Sequence, residues 1–79
     1  MLGKGAVAVS LRGKDKDSIL CVVAVDEKGV WVCDGRKRRL ENPKLKNPKH
    51  LKALDRALSE EQMRTDKQLR KALNFNPEA

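Results

Sequence analysis

Eight of the chain's 18 lysines and arginines fall within 17 consecutive residues, and this crowding is its strongest chemical signal. Arg36, Lys37, Arg38, Arg39, Lys44, Lys46, Lys49 and Lys52 face Glu41 alone there, with His50 among them. On either side the charges cancel. Residues 1–35 and residues 53–79 each carry five basic and five acidic side chains, so residues 36–52 hold the whole net charge of +7. A solvated surface ordinarily mixes signs, because like charges repel. Cations crowded in this way suit a phosphate-binding surface, where association releases counterions and weakens steeply with salt. Arg12, Lys14 and Lys16 stand in an earlier loop and are expected to join the same patch.

Other chemistry finds little support. Cysteine-based acyl transfer needs a base beside the thiol, and the only histidine, His50, is far in sequence from Cys21 and Cys33. A phosphate or base contact is the role expected of His50, a satisfied structural histidine being the alternative. No phosphate-cradling GxxxxGK[ST] loop and no GxGxxG occurs, and the carboxylates are scattered. Metal binding would need more His, Cys or clustered carboxylates. The expectation is a non-enzymatic binding protein with no cofactor, metal or small-molecule substrate. The spacing of Cys21 and Cys33 matches neither a CxxC motif nor a zinc site, so two reduced core thiols are expected, a cross-strand disulfide being the alternative.

The aromatic content narrows the kind of nucleic acid. Single-strand binders stack bases on aromatic platforms, yet this chain has no tyrosine, one tryptophan (Trp31) and one phenylalanine (Phe75). That composition favours phosphate and shape recognition of folded RNA. Trp31 reads most simply as core; facing outward, it could stack on a base beside Arg38.

The elements that must carry these cations divide the chain in two. Ala6–Leu11 reads as a strand with Val7, Val9 and Leu11 on one face, and residues 12–18 read as a polar loop. Ile19–Val25 is a β-branched run typical of a central strand, Asp26–Gly29 a turn, and Val30–Cys33 a third strand. Asp34-Gly35 predicts a two-residue hairpin turn. That turn would fold Arg36–Glu41 back on the third strand, with Cys33 opposite Arg36, Val32 opposite Lys37 and Trp31 opposite Arg38. Leu40 would then point inward. Pro43 and Pro48 predict an exposed, extended segment pinned by Leu45 and Leu51, with a short strand near His50–Lys52. Leu54 and Leu58 follow helical spacing. Ser59 with Gln62, and Thr65 with Gln68, form capping-box patterns, and a helix is expected over 66–74, ended by Asn74-Phe75-Asn76-Pro77.

Several stretches together resemble a known family. Val9-Ser10, Gly13-Lys14-Asp15-Lys16 and the Val22–Val25 run are similar to the KOW motif of several large-subunit ribosomal proteins and transcription factors. Three further stretches are Asp34-Gly35 with Arg38, then Pro43-Lys44, then Lys46-Asn47-Pro48-Lys49-His50-Leu51. They resemble the small bacterial KOW-domain RNA-binding proteins, which are related to an archaeal and eukaryotic large-subunit ribosomal protein. Thr65–Leu73 is similar to their closing helix. The resemblance covers nearly the whole chain, least so over 53–64. It implies a mainly β protein: a five-stranded SH3-like (KOW) barrel over 1–52, with a C-terminal helical extension over 53–79 on or beside it. It also implies RNA binding in a ribosomal setting. Family members carry a glycine where this chain has Asp17; aspartate tolerates the left-handed conformation, so the turn is expected to survive.

The reading is thus a module for structured RNA, rRNA being what the resemblance implies, bound through Arg12, Lys14, Lys16, Arg36, Lys37, Arg38, Arg39, Lys44, Lys46, Lys49, His50 and Lys52. The alternative is a recruitment barrel that binds acidic protein segments. A cage for methyl-lysine needs more aromatics than two. A polybasic contact with lipid lacks a suitable amphipathic helix. No apolar run approaches the roughly 18 residues of a membrane span, and the N-terminus lacks a secretory leader's apolar stretch. A cytoplasmic protein, monomeric when free and without membrane contact, is expected.

Overall fold

The strand that begins at Ile19 is apolar through Val23 because both faces of that stretch are covered, whereas Ala24 and Val25 beyond it are exposed. In the computed structural model, which describes residues 2–74, this strand is β2, Ile19–Asp26. It pairs antiparallel with β1 (Ala6–Ser10) on one side and β3 (Gly29–Cys33) on the other. Two further strands, β4 (Lys44–Lys46) and β5 (Leu51–Ala57), complete a five-stranded antiparallel sheet of order β4-β3-β2-β1-β5. One helix, α1 (Asp66–Leu73), follows. It is far shorter than a membrane span, and no described helix is long and apolar enough to cross one.

Each face of the sheet has its own core. Ala8, Leu20, Val22, Val30, Val32 and Leu51 cluster on the inner face. Val7, Cys21 and Cys33 on the outer face pack with Leu58 and with Leu69 and Leu73 of α1, and Leu40 joins them. The sheet curls tightly. Lys46 on β4 donates to the Ser10 hydroxyl at 2.8 Å, although β3 and β2 separate β4 from β1 in the sheet. Strands in a flat sheet lie about 4.8 Å apart, so such a contact would be beyond a lysine's reach. β4 and β5 remain the two edges, and no ladder joins them among the described residues.

The mainly β fold with one C-terminal helix matches expectation; the connections correct several details. Asp34-Gly35 does not make a two-residue hairpin. Such a turn needs positive φ at both central residues; Gly35 has φ 78°, but Asp17 is the only described non-glycine residue with positive φ. The Asp34 carboxylate instead accepts the backbone N–H groups of Arg36 and Arg38, at 2.8 and 3.0 Å. This local bond competes with strand pairing. Arg36–Glu41 is therefore loop, and β3 pairs with the later residues Lys44, Leu45 and Lys46 opposite Val32, Trp31 and Val30.

Leu54 and Leu58 are not on a helix. Leu54 lies in β5 and Leu58 follows it. Between Ala8 and Ala6 of β1, the register on β5 advances from Ala53 to Ala57. The extra residues form a bulge that breaks the period of two. Leu51, Leu54 and Leu58 thereby fall at separations that imitate a helix. β5 also crosses position 52, so the sheet continues through Ala57.

Three apolar side chains sit differently from expectation. Leu11 is beyond the end of β1 and 43% exposed, and Leu45 is 40% exposed rather than pinned. Trp31 is half-buried and belongs to neither core cluster. It shares the outer face with Cys33, two residues on, but lies outside the helix-covered cluster. Its indole N–H donates to Asp26 at 2.8 Å.

The two capping-box patterns do open helical turns. Ser59 and Gln62 exchange hydrogen bonds around a 3-10 turn, Glu61–Met63. The Thr65 hydroxyl accepts the Gln68 N–H at 3.1 Å and opens α1. The expected stop signal from Phe75 to Pro77 lies outside the described residues.

Candidate nucleic-acid interface

The loop of residues 11–18 doubles back on itself. Lys16 N–H bonds to the Gly13 carbonyl, Ser18 N–H to that of Asp15, and Asp17 N–H to that of Ser10. Asp17 adopts φ 71°, so aspartate does occupy the left-handed region at this turn. The loop is anchored from below by Lys46, whose ammonium donates to Asp15 Oδ1 at 2.7 Å, Ser10 Oγ at 2.8 Å and the Arg12 carbonyl at 2.9 Å. Lys44 approaches the other Asp15 oxygen at 3.8 Å. Burial alone would raise the Asp15 pKa, but hydrogen bonds from Lys46 and Ser10 and the charges of Lys46 and Lys44 outweigh it. The carboxyl is held below its ordinary 3.8.

The second loop, residues 34–43, is held by three devices. Asp34 organises its first turn, as described above. Backbone N–H groups of Asp34 and Gly35 both reach the Arg38 carbonyl at 3.0 Å. Helix α1 then clamps it: Arg70 Nη1 donates to the Gly35 carbonyl, and the Leu40 N–H donates to Asp66 Oδ1, each at 2.8 Å. Gly35 is required for this approach, since a Cβ there would lie 2.6 Å from the Asp66 carbonyl oxygen. The basic loop is thus braced by a helix instead of by strand pairing.

Between the two loops lies an open groove of about 670 Å³. Lys14 lines it from the first loop, Arg36, Lys37 and Arg38 from the second, and Lys44 from β4. Asp15, Ser18, Leu20 and Asp34 supply the rest of the lining. Leu20 is only 1% exposed and forms floor rather than wall. Lys14, Arg36, Lys37 and Arg38 enter no ion pair among the described residues.

The remaining expected contacts are placed elsewhere. Arg12, Lys16 and Arg39 are exposed but do not line the groove. Lys49 and Lys52 are exposed and His50 half-buried, on and just after a 3-10 turn, Pro48–His50. That turn adjoins the first loop through a bond from Leu11 N–H to the His50 carbonyl at 2.8 Å. Lys46 is the exception to the surface set. It is 7% exposed, with its three donors spent inside the protein, so it serves as an internal anchor.

Sequence reasoning missed the groove's non-cationic members and the helix clamp. Asp34 before glycine was visible as a turn signal, but nothing local marks Asp66 or Arg70 as partners of a loop more than 25 residues upstream. The two thiols are free, buried and directly opposed, Cys21 across from Cys33. Burial, then the neighbouring Cys33, pushes Cys21 up to about 12. Burial, then Asp66 and Asp34, pushes Cys33 up to about 11. Such thiols are poor nucleophiles. No family model matches the chain, and no curated protein matches it either.

Proposed function

We propose that the protein is a non-enzymatic RNA-binding module of the KOW type, its curled sheet an SH3-like barrel, acting on structured RNA in a ribosomal or ribosome-associated setting in the cytoplasm. The observation that carries this reading is the convergence of Lys14, Arg36, Lys37 and Arg38 from two loops onto one groove, where none of the four is ion-paired among the described residues. Unpaired cations held this close repel one another, and phosphate relieves that repulsion while releasing counterions. Arginine adds bidentate pairing to phosphate oxygens. Arg12, Lys16, Arg39, Lys49 and Lys52 extend the positive field outside the groove. The curl that brings Lys46 to Ser10 supports the barrel reading.

Charge reversal at Arg36, Lys37 and Arg38 tests it. In gel-shift and anisotropy titrations with rRNA fragments, the triple glutamate variant is expected to lose binding while its melting temperature stays close to the parent's. Parent affinity should also fall linearly on a log–log salt plot. Unchanged RNA affinity in the variant, or tighter parent binding to an acidic peptide than to RNA at matched salt, would refute the proposal.

A further inference from the structure

We propose, resting on the RNA-binding reading, that the groove takes one unpaired nucleotide extruded from the folded RNA, prefers guanine, and reads it with the Asp34 carboxylate. The groove is not lined like a surface for phosphate alone. Its volume, about 670 Å³, lies within the roughly 300–1,000 Å³ of small-ligand sites. Cations occupy its two walls, whereas Asp34 offers a carboxylate. For a phosphate-only site the carboxylate is a liability. For a base it is an acceptor.

The two groove carboxylates differ in what they have left to give. Asp15 is satisfied by Lys46 and Ser10, with Lys44 close by. Asp34 spends Oδ1 on the backbone N–H groups of Arg36 and Arg38, while Oδ2 has no partner among the described residues. Guanine presents two adjacent donors on its Watson–Crick edge, N1–H and the exocyclic amine. Uracil's single N3–H is flanked by two carbonyl oxygens that a carboxylate repels. In a duplex those edges are paired and stacked out of reach, so a fully paired stem meets only the rim of the groove. An extruded nucleotide can place its phosphates on Lys14 and on Arg36–Arg38 and its donors on Asp34.

The test uses the full chain and three labelled RNA stems of one sequence: fully paired, with a single bulged guanine, and with a bulged uracil. Anisotropy titration at low salt is expected to rank bulged guanine first, by on the order of tenfold over bulged uracil. Inosine in the bulge, which lacks the exocyclic amine, should lose part of that margin. Asp34→Asn keeps an oxygen for the two backbone N–H groups but replaces Oδ2 by a donor, so the guanine-to-uracil ratio should collapse toward one. Equal affinity for all three stems in the parent overturns the inference and leaves the RNA-binding reading intact, as does a guanine preference that survives in Asp34→Asn. Failure to bind any stem overturns both. The base-substitution arm uses the parent protein and is independent of how the variant folds.

Discussion

Replacing Lys46 by methionine isolates the ion pair that ties the first basic loop to the sheet. Methionine keeps most of the apolar stem but removes the ammonium. Asp15 is then left with the Ser10 hydroxyl and the more distant Lys44, and the Arg12 carbonyl and Ser10 Oγ lose a donor. Removing one partner of a buried pair costs about 3–5 kcal/mol. The Asp15 side chain is 20% exposed and partly solvated, so the lower end, about 3 kcal/mol, applies. For a domain of this size, each kcal/mol moves the melting temperature by about 4–8 °C, so a fall of roughly 12–24 °C is expected. The assay is thermal unfolding by circular dichroism, beside Lys49→Met, an exposed lysine whose loss should stay within about 0.5 kcal/mol. The pH dependence adds a second reading. Because the folded Asp15 pKa is depressed, its contribution is complete above the unfolded value of 3.8 and is lost as pH falls through the lower folded value. Asp15→Asn should remove that component of acid sensitivity. A Lys46→Met melting temperature within about 3 °C of the parent's would refute the anchoring argument.

Three further outcomes follow from the geometry. Trp31 donates to Asp26, and that bond, outweighing the effect of desolvation, together with N–H donation from Lys28 and Gly29, holds the Asp26 carboxyl below its ordinary 3.8. Trp31 emission should therefore be flat from neutral pH down to 3.8 and change only below it; a transition near pH 5 or above would contradict the bond. Cys21 and Cys33 should both resist an aromatic disulfide reagent at pH 8 and react together on unfolding, and rapid labelling of the folded protein would contradict their burial. Gly35→Ala should cost about 1–3 kcal/mol in urea unfolding, because φ is 78° and the new Cβ meets the Asp66 carbonyl; a neutral substitution would show that the loop does not need its close seat on α1.

What was legible in the sequence was what depends on neighbours in the chain. The β-branched run at Ile19–Val25, the loops around it and the Thr65 cap are local, and they lie where propensity and capping chemistry put them. The misread segments are those in which a distant partner decides. Asp34-Gly35 has the composition of a tight hairpin, but the Asp34 side chain and the Asp66–Arg70 clamp favour a longer loop. Leu54 and Leu58 imitate a helix only because β5 bulges against β1. Lys46 is indistinguishable in sequence from Lys44 or Lys49. Lys44 and Lys46 share one face of β4, two residues apart, so the different fate of Lys46 follows from its place along the strand and from the curl that brings Asp15 and Ser10 within its reach.

The division of labour among the lysines gives the groove its electrostatic character. A +7 chain of this size would be expected to quench its cations with its own carboxylates wherever geometry allows. Around the groove the opposite occurs. Asp15 is neutralised from beneath by Lys46, and one Asp34 oxygen is consumed by backbone N–H groups, so neither carboxylate pairs with Lys14, Arg36, Lys37 or Arg38. The cost of bringing those four cations together is therefore borne by the folded protein before any ligand arrives. A polyanion that enters the groove meets preorganised positive charge on loops already braced by β4 and α1. Affinity gained in this way comes from ordering completed during folding. On the proposed RNA-binding reading, the two bracing contacts, Lys46 to Asp15 and Asp66 to Leu40, should affect RNA affinity although Lys46 and Asp66 do not line the groove; titrations of Lys46→Met and Asp66→Asn that match the parent's RNA affinity would contradict it.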